Sequence, residues 1–323
     1  MVAATSAMVL ILLIVIVDVT ANHGHAAACA CASQGRPPPQ TDVHSMTQIQ
    51  PQERGKLHPK WAVLKHTGLG IVVVVFRGTF SYADILVDMR FEPIELPCGI
   101  QVNGGMHAAV AICADAVKMA LRDALRDGVR YRVLVTGHSY GGACSQLLRV
   151  ISLSSPSWSN ILNRVSRVEV VTFGAPLVFG ARQSSSEEAQ SGGQGGALLD
   201  RVGKDSRHYV HQGDIVPRML TPHSAELLGK LTEGQSRADV QQMASHIGSY
   251  GPVGSFRVIY TEPRRAGRAE RHIVRAVQAG ADTETLLEPA PVMYLANTIQ
   301  DHDSGFYRDK LNAVCSLGGG IAR

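Results

Sequence analysis

The residues from Ile71 to Phe76 read IVVVVF, a continuous β-branched run of strand length. Such a run predicts a strand of a parallel sheet buried on both faces. Between residues 106 and 127 the apolar positions Val110, Val117, Leu121, Ala124 and Leu125 recur at helical spacing, and Asp127-Gly128 supplies a stop. Arg132 to Thr136 forms a second apolar strand pattern and Val168 to Phe173 a third, with a helical stretch from Gly141 to about Leu153 between them. RHYVHQ, ahead of Gly213, is also strand-like. Strands alternating with helices predict an α/β protein with a mostly parallel sheet. Elsewhere the pattern fades. Residues 33–60 are polar, open on a triple proline, and read as a linker. Residues 183–196, QSSSEEAQSGGQGG, read as a flexible surface insertion. Residues 221–250 are weakly periodic, and residues 264–282 are Arg-rich with some helical pattern.

One apolar run, residues 7–17, stands outside this scheme. A membrane-spanning helix needs about 20 residues, so eleven fit a signal-peptide core better. Alanine-rich sites follow at residues 26–32, as a signal peptidase would require, although no Lys or Arg precedes the run. Residues 1–32 are therefore expected to be a leader, with secretion or an endomembrane lumen as the destination. A membrane anchor or an organellar address is the alternative. Removal of the leader would leave Cys98, Cys113, Cys144 and Cys315, which permit up to two disulfides or four buried thiols. No zinc spacing is present and no metal or cofactor is expected.

Composition changes the picture little. With 45% apolar and 18% charged residues, the chain of 323 residues is globular. A net charge of +4 spread over that length is too weak to argue for nucleic acid, and aromatics are only 5%.

The chemistry lies at Gly137-His138-Ser139-Tyr140-Gly141, a G-x-S-x-G followed by Gly142. The pattern has meaning only where a buried strand ends and a helix begins, and here YRVLVT leads in and GACSQLLRVI leads out. A sharp turn at that point would project the Ser139 hydroxyl above the sheet in a strained conformation. Side chains at 137 and 141 would then collide with neighbouring chain. The helix N-terminus would aim free N–H groups at the reacting carbonyl. A serine needs a base, and the base an acid, expected downstream in the order acid, then histidine. Asp214 follows the strand-like RHYVHQ and precedes a turn closed by Pro217, whereas Asp200 and Asp205 lack that setting. His208 and His211 point to opposite faces of a strand and cannot share a metal. Downstream of Asp214 stand His223, His246, His272 and His302. His302 lies in a loop between an apolar stretch and a final helix, but spacing alone does not choose it.

Five motifs in one order, over roughly residues 61–315, resemble the class 3 lipase family, the fungal-lipase-like α/β-hydrolases. Phe76-Arg77-Gly78-Thr79 resembles its F-R-G-T/S and Gly137–Gly142 its G-H-S-x-G-G. Phe173-Gly174-Ala175-Pro176 resembles F-G-[SA]-P, and Asp214-Ile215-Val216-Pro217-Arg218 resembles D-x-V-P-R. Asp301-His302, with Tyr307 and Leu311, resembles D-H-x-x-x-x-Y-x-x-x-L. The resemblance implies an α/β-hydrolase domain over 61–323, with helices on both faces of a mostly parallel sheet. It implies Ser139 as nucleophile, Asp214 as acid and His302 as base. It also implies an oxyanion hole from Thr79 and the N–H of Tyr140. His107 departs from the family's H-x-G-F, being followed by Ala108-Ala109-Val110, and is read as packing.

The expected activity is hydrolysis of acylglycerol esters at a lipid–water interface, through an acyl-enzyme and without a stable protein partner. Phospholipase A1, galactolipase and feruloyl-type esterase are alternatives within the family. An inactive lipase-like scaffold is the alternative outside it, disfavoured because each motif keeps its reactive residue. A membrane-interaction protein would need a span or a basic amphipathic helix, and neither is evident. After Thr79, the residues Tyr82, Ile85, Leu86 and Met89 form one apolar helical stripe. Periodicity fits a surface helix; the resemblance implies a lid.

Overall fold

The computed structural model describes residues 42–46, 59–78, 92–180, 194–218, 249–262, 271–278, 305 and 307–311. An eight-stranded sheet forms the centre. Its strands are, in chain order, β1 (Asp42–Met46), β2 (Trp61–His66), β3 (Ile71–Phe76), β6 (Arg132–His138), β7 (Arg167–Phe173), β9 (Ser206–His211), β11 (Ser255–Glu262) and β12 (Arg271–Gln278). They lie side by side in that order. The five from β3 to β11 are mutually parallel; β2 and β12 flank them antiparallel, and β1 pairs antiparallel with β2. Four short strands, β4 (Pro93–Glu95), β5 (Gln101–Asn103), β8 (Phe179–Gly180) and β10 (Tyr250–Gly251), make a second sheet in the order β10-β8-β5-β4.

The expected strands at 71–76, 132–136 and 168–173 are β3, β6 and β7. All six residues of β3 are buried, as its unbroken β-branched run requires. Helix α1 (Gly104–Ala124) starts at Asn103, whose side-chain oxygen accepts the Met106 N–H, and ends ahead of Gly128 at φ 75°. Helix α2 (Tyr140–Ser154) follows β6 and is buried along most of its length. The short α3 (Ser159–Leu162) and then α4 (Gln194–Asp205) follow. Helices α1, α2 and α4 bury the larger core cluster against one sheet face, through Val110, Val117, Leu147, Val150 and Val202 among others. The opposite face carries Val73, Val75, Leu134, Val171, Phe173 and Ile259. Tyr307 and Leu311, from the helical segment 307–311, cover it. Helices thus lie on both faces of a mostly parallel sheet, the arrangement of an α/β-hydrolase.

Three expectations change. The stretch 33–60, expected as a linker, contains β1, which pairs with β2. The Arg-rich region 264–282, given a helical pattern, contains strand β12, whose eight residues pair in register with β11. Residues 194–196 of the expected insertion open α4, where Gly195 packs against the Cys98 and Gly99 backbone. Cys98, Cys113 and Cys144 are free thiols. Burial pushes the Cys113 thiol up to about 11 and that of Cys144 well above its usual value, so neither is a reactive thiolate.

Candidate active site

Strand β6 ends at His138 and α2 begins at Tyr140, so Ser139 alone makes the turn. Its backbone sits at φ 55°, ψ −128°, and among the described residues it is the only non-glycine with positive φ. Such a conformation costs about 1–3 kcal/mol and persists only where its surroundings enforce it. Here they do. The Ser139 N–H donates to Phe173 O at 2.9 Å, and Gly142 and Ala143 donate to Ser139 O at 2.9 and 3.2 Å. A Cβ on Gly137 would lie 2.2 Å from the Gly141 carbonyl carbon, and one on Gly141 would lie 2.3 Å from Phe76 O. The glycines on either side of the serine therefore let three stretches of backbone touch. Tyr140, the residue expected to offer an oxyanion N–H, opens α2 and is buried.

The parallel register aligns the ends of the central strands. Phe76 stands opposite Gly137, and His138 opposite Phe173, itself opposite Tyr209. Ser139 after β6 and Asp214 after β9 thus emerge at the same rim, with β7 between them. Neighbouring strands are about 4.8 Å apart, so the roots of the two turns lie about 10 Å apart, a gap that an imidazole bonded on both sides fills.

Asp214 is fully buried. Its Oδ1 accepts the Val216 N–H at 2.9 Å, and its Oδ2 accepts the Tyr307 hydroxyl at 2.5 Å. The Arg218 guanidinium donates to the Asp214 carbonyl and, at 3.2 Å, to the His211 carbonyl, which clamps the turn. Tyr307 Oη also accepts the His211 N–H at 2.8 Å. Burial, then the charge of Asp214, hold the phenol well above its usual pKa, so it stays a donor. Neither Tyr307 nor Arg218 was expected as a site residue, although both are motif positions; the D-H-x-x-x-x-Y and D-x-V-P-R spacings were the signal.

His208 and His211 do lie on opposite faces. His208 Nε2 faces Val253 O at 2.8 Å and therefore donates, which leaves Nδ1 to accept the Thr172 hydroxyl at 2.7 Å. Burial lowers its pKa to about 4. It is a neutral core group, not a base for Ser139. His107, on α1, has its pKa lowered by burial, in keeping with packing. His302, Thr79 and the stripe of Tyr82, Ile85, Leu86 and Met89 lie outside the described residues.

Residues 73–223 fit the family model "Lipase (class 3)". A chloroplastic phospholipase A1 of Arabidopsis thaliana, PLIP1, is 25% identical over 269 residues, covering 74% of this chain and 38% of the relative. A second, PLIP2, is 28% identical over 199 residues, covering 58% and 25%. A lipase of Rhizomucor miehei is 31% identical over 78 residues, covering 24% and 22%. The chain thus spans less than two fifths of the length of these curated relatives. Among solved structures, the Rhizomucor miehei lipase propeptide complex aligns with a TM-score of 0.49 and 18% identity, covering 77% of this chain and 65% of that one. The serine turn closed by glycine contacts and the buried acid on the same rim both lie within residues 73–223, the stretch that matches the class 3 lipase family.

Proposed function

We propose that the protein is a serine carboxylic ester hydrolase that cleaves acylglycerol esters. The observation that carries this reading is Ser139 at φ 55° between β6 and α2, on the rim where Asp214 is held by the Tyr307 hydroxyl. Ser139 Oγ attacks the ester carbonyl as His302 takes its proton. Asp214 orients the imidazole and stabilises the imidazolium. The N–H of Tyr140 and the Thr79 donors receive the oxyanion, each worth roughly 3 kcal/mol of barrier. The alkoxide leaves with the proton from His302, and water then releases the acyl group by the same route in reverse. Support for His302 comes from its position. Tyr307, bonded to Asp214, is five residues further on, and five residues reach at most about 17 Å.

The match to a chloroplastic phospholipase A1 over 74% of the chain favours one variant, with a phospholipid ester as substrate. It also favours an organellar address over a secreted one. The stripe from Tyr82 to Met89 would act as a lid, opening at a lipid surface where its apolar side chains meet acyl chains.

The test is a hydrolysis panel of tributyrin, triolein, phosphatidylcholine and p-nitrophenyl butyrate, run with wild type and Ser139→Ala. Turnover that survives in Ser139→Ala, or no hydrolysis of any ester by wild type, would reject the proposal. Ile85→Asp with Leu86→Asp should suppress emulsified triglyceride more than soluble ester; equal losses would reject the lid.

A further inference from the structure

Side chains alternate along β7, so Glu169 lies on the sheet face that carries Val171 and Phe173. Its side chain is 7% exposed, and a carboxylate buried to that degree needs a cation. Three guanidinium groups meet it. Arg207 Nη2 donates to Glu169 Oε1. Arg167 Nη2 lies 3.3 Å from the same oxygen, and Arg132 Nε lies 3.6 Å from Oε2. Register explains the convergence. Arg132 stands opposite Arg167, two residues before the Leu134–Glu169 pair, and Arg207 stands opposite Val171, two residues after Glu169. All four side chains therefore project from one face of three adjacent strands.

One cation suffices for one carboxylate. Lys65 with Asp127 and Arg149 with Asp205, the other ion pairs that bury a side chain, are one-to-one among the described residues. At Glu169 three guanidiniums against one carboxylate leave a local surplus of two positive charges. Their roughly fifteen N–H donors face a carboxylate with about four acceptor sites. Among the described residues only the Arg207 contact is a hydrogen bond; Arg132 and Arg167 are held by charge alone. The arginine side chains are 40%, 56% and 36% exposed for Arg132, Arg167 and Arg207, so ions from solvent reach the guanidiniums while the carboxylate lies beneath them. Arg257 extends the row. It lies on β11 two residues before Ile259, on the same face, and forms no ion pair among the described residues. Arg132 opens β6 and His138 closes it, so the cluster stands about 20 Å from the Ser139 turn, at the opposite rim.

We propose that Arg132, Arg167 and Arg207 form a binding site for a phosphate dianion, with Glu169 as the buried group that gathers them. The charge of the ligand follows from the surplus of two. Its shape follows from the approach of guanidiniums from three strands. A tetrahedral anion offers oxygens in several directions, whereas a planar carboxylate would repeat what Glu169 already does. Arginine is also the side chain whose rigid fork matches phosphate oxygens. Free phosphate and the headgroup of a phosphomonoester lipid present the same dianion, and the experiment separates them. The site is independent of the ester-hydrolase reading.

The experiment uses the full chain carrying Ser139→Ala, so that no lipid is consumed. Isothermal titration calorimetry with inorganic phosphate, against sodium chloride at equal ionic strength, reads the free ion. Co-sedimentation with phosphatidylcholine vesicles, with or without phosphatidic acid, reads the headgroup. Saturable binding of at least one of the two phosphate sources is expected. Arg132→Gln with Arg167→Gln keeps the Arg207–Glu169 bond and should weaken binding on the order of 100-fold. Glu169→Gln removes a like charge beside the dianion and should tighten binding about tenfold, a gain that a purely structural ion network would not give. Circular dichroism reports whether each variant keeps the sheet. A matched control, Arg122→Gln with Arg126→Gln on α1, should leave binding unchanged. No binding of either phosphate source, binding that chloride equals, or an Arg132/Arg167 variant that binds like the parent would overturn the proposal. A folded Glu169→Gln chain that binds no tighter would overturn it as well; should that variant not fold, the arginine pair alone decides. The assay needs no turnover. A chain that binds phosphate yet cleaves no ester would sink the hydrolase reading alone, and one that cleaves esters without binding phosphate would sink only this site.

Discussion

Replacing Tyr307 by phenylalanine removes one oxygen and keeps the ring. The ring contacts with Phe173 (centroids 6.4 Å apart) and His138 (5.7 Å) therefore remain. Two hydrogen bonds disappear, the donation to Asp214 Oδ2 and the acceptance from the His211 N–H. Both lost partners belong to buried residues, and Asp214 is fully buried. A bond to a charged group contributes about 1.5–3 kcal/mol and a neutral one about 1, so the variant should lose about 3 kcal/mol of stability. For a chain of this size that is a fall in Tm of about 4–5 °C. The kinetic effect has a separate sign. Without the phenol, more of the Asp214 charge acts on the imidazole of His302, the imidazolium is stabilised, and the base is neutral only at higher pH. Loss of about 1.4 kcal/mol of sharing moves the acid limb of kcat/KM up by about one pH unit. Scanning calorimetry and a pH profile on p-nitrophenyl butyrate read the two effects. A Tm within about 2 °C of wild type, with an unmoved acid limb, would refute the assigned role of the phenol.

Ser139→Ala should abolish turnover while keeping the fold, whereas Ser139→Gly should abolish turnover and raise Tm, since glycine relieves the φ 55° strain of about 1–3 kcal/mol; a drop in Tm for the glycine variant would contradict that strain. Gly137→Ala should yield insoluble protein, because its Cβ would stand 2.2 Å from the Gly141 carbonyl carbon; soluble, active protein would show the elbow to be looser than described. His208, with its pKa lowered to about 4 from an unfolded value near 6.5, binds a proton more readily when the chain is unfolded. Its contribution of about 3 kcal/mol is present above pH 6.5 and lost as pH falls through 4. Urea midpoints at pH 7 and pH 4 should differ more in wild type than in His208→Gln, and equal differences would remove His208 as the cause.

What could be read from the sequence was local. β3 matches its β-branched run residue for residue, and the serine turn was legible because a strand pattern, two glycines and a helical pattern are contiguous. β12 was not legible. Its eight residues are a short window, and arginine suits helices, so only pairing with β11 decides its conformation. β1 hid in a polar stretch for the same reason, since its partner β2 supplies the context. The small sheet joins strands of two or three residues from three separate stretches of the chain, which no periodicity can signal. The Tyr307–Asp214 bond spans 93 positions, so the motif spacing pointed to both residues without revealing that they touch.

The glycine contacts around Ser139 also bear on how such a chain can diversify. The Gly141 Cα faces Phe76 O, the Gly142 Cα faces Ala175 Cβ, and the Ser139 N–H is tied to Phe173 O. Three motifs that lie far apart in the sequence are thus one interlocked object, in which an added methyl at one point cannot be absorbed at another. Random variation is filtered there almost completely, and the tolerance of the molecule is confined to segments that leave the rim. New specificities in such a scaffold are therefore expected to arise by exchange of loops, while the knot beneath them stays fixed in length and composition.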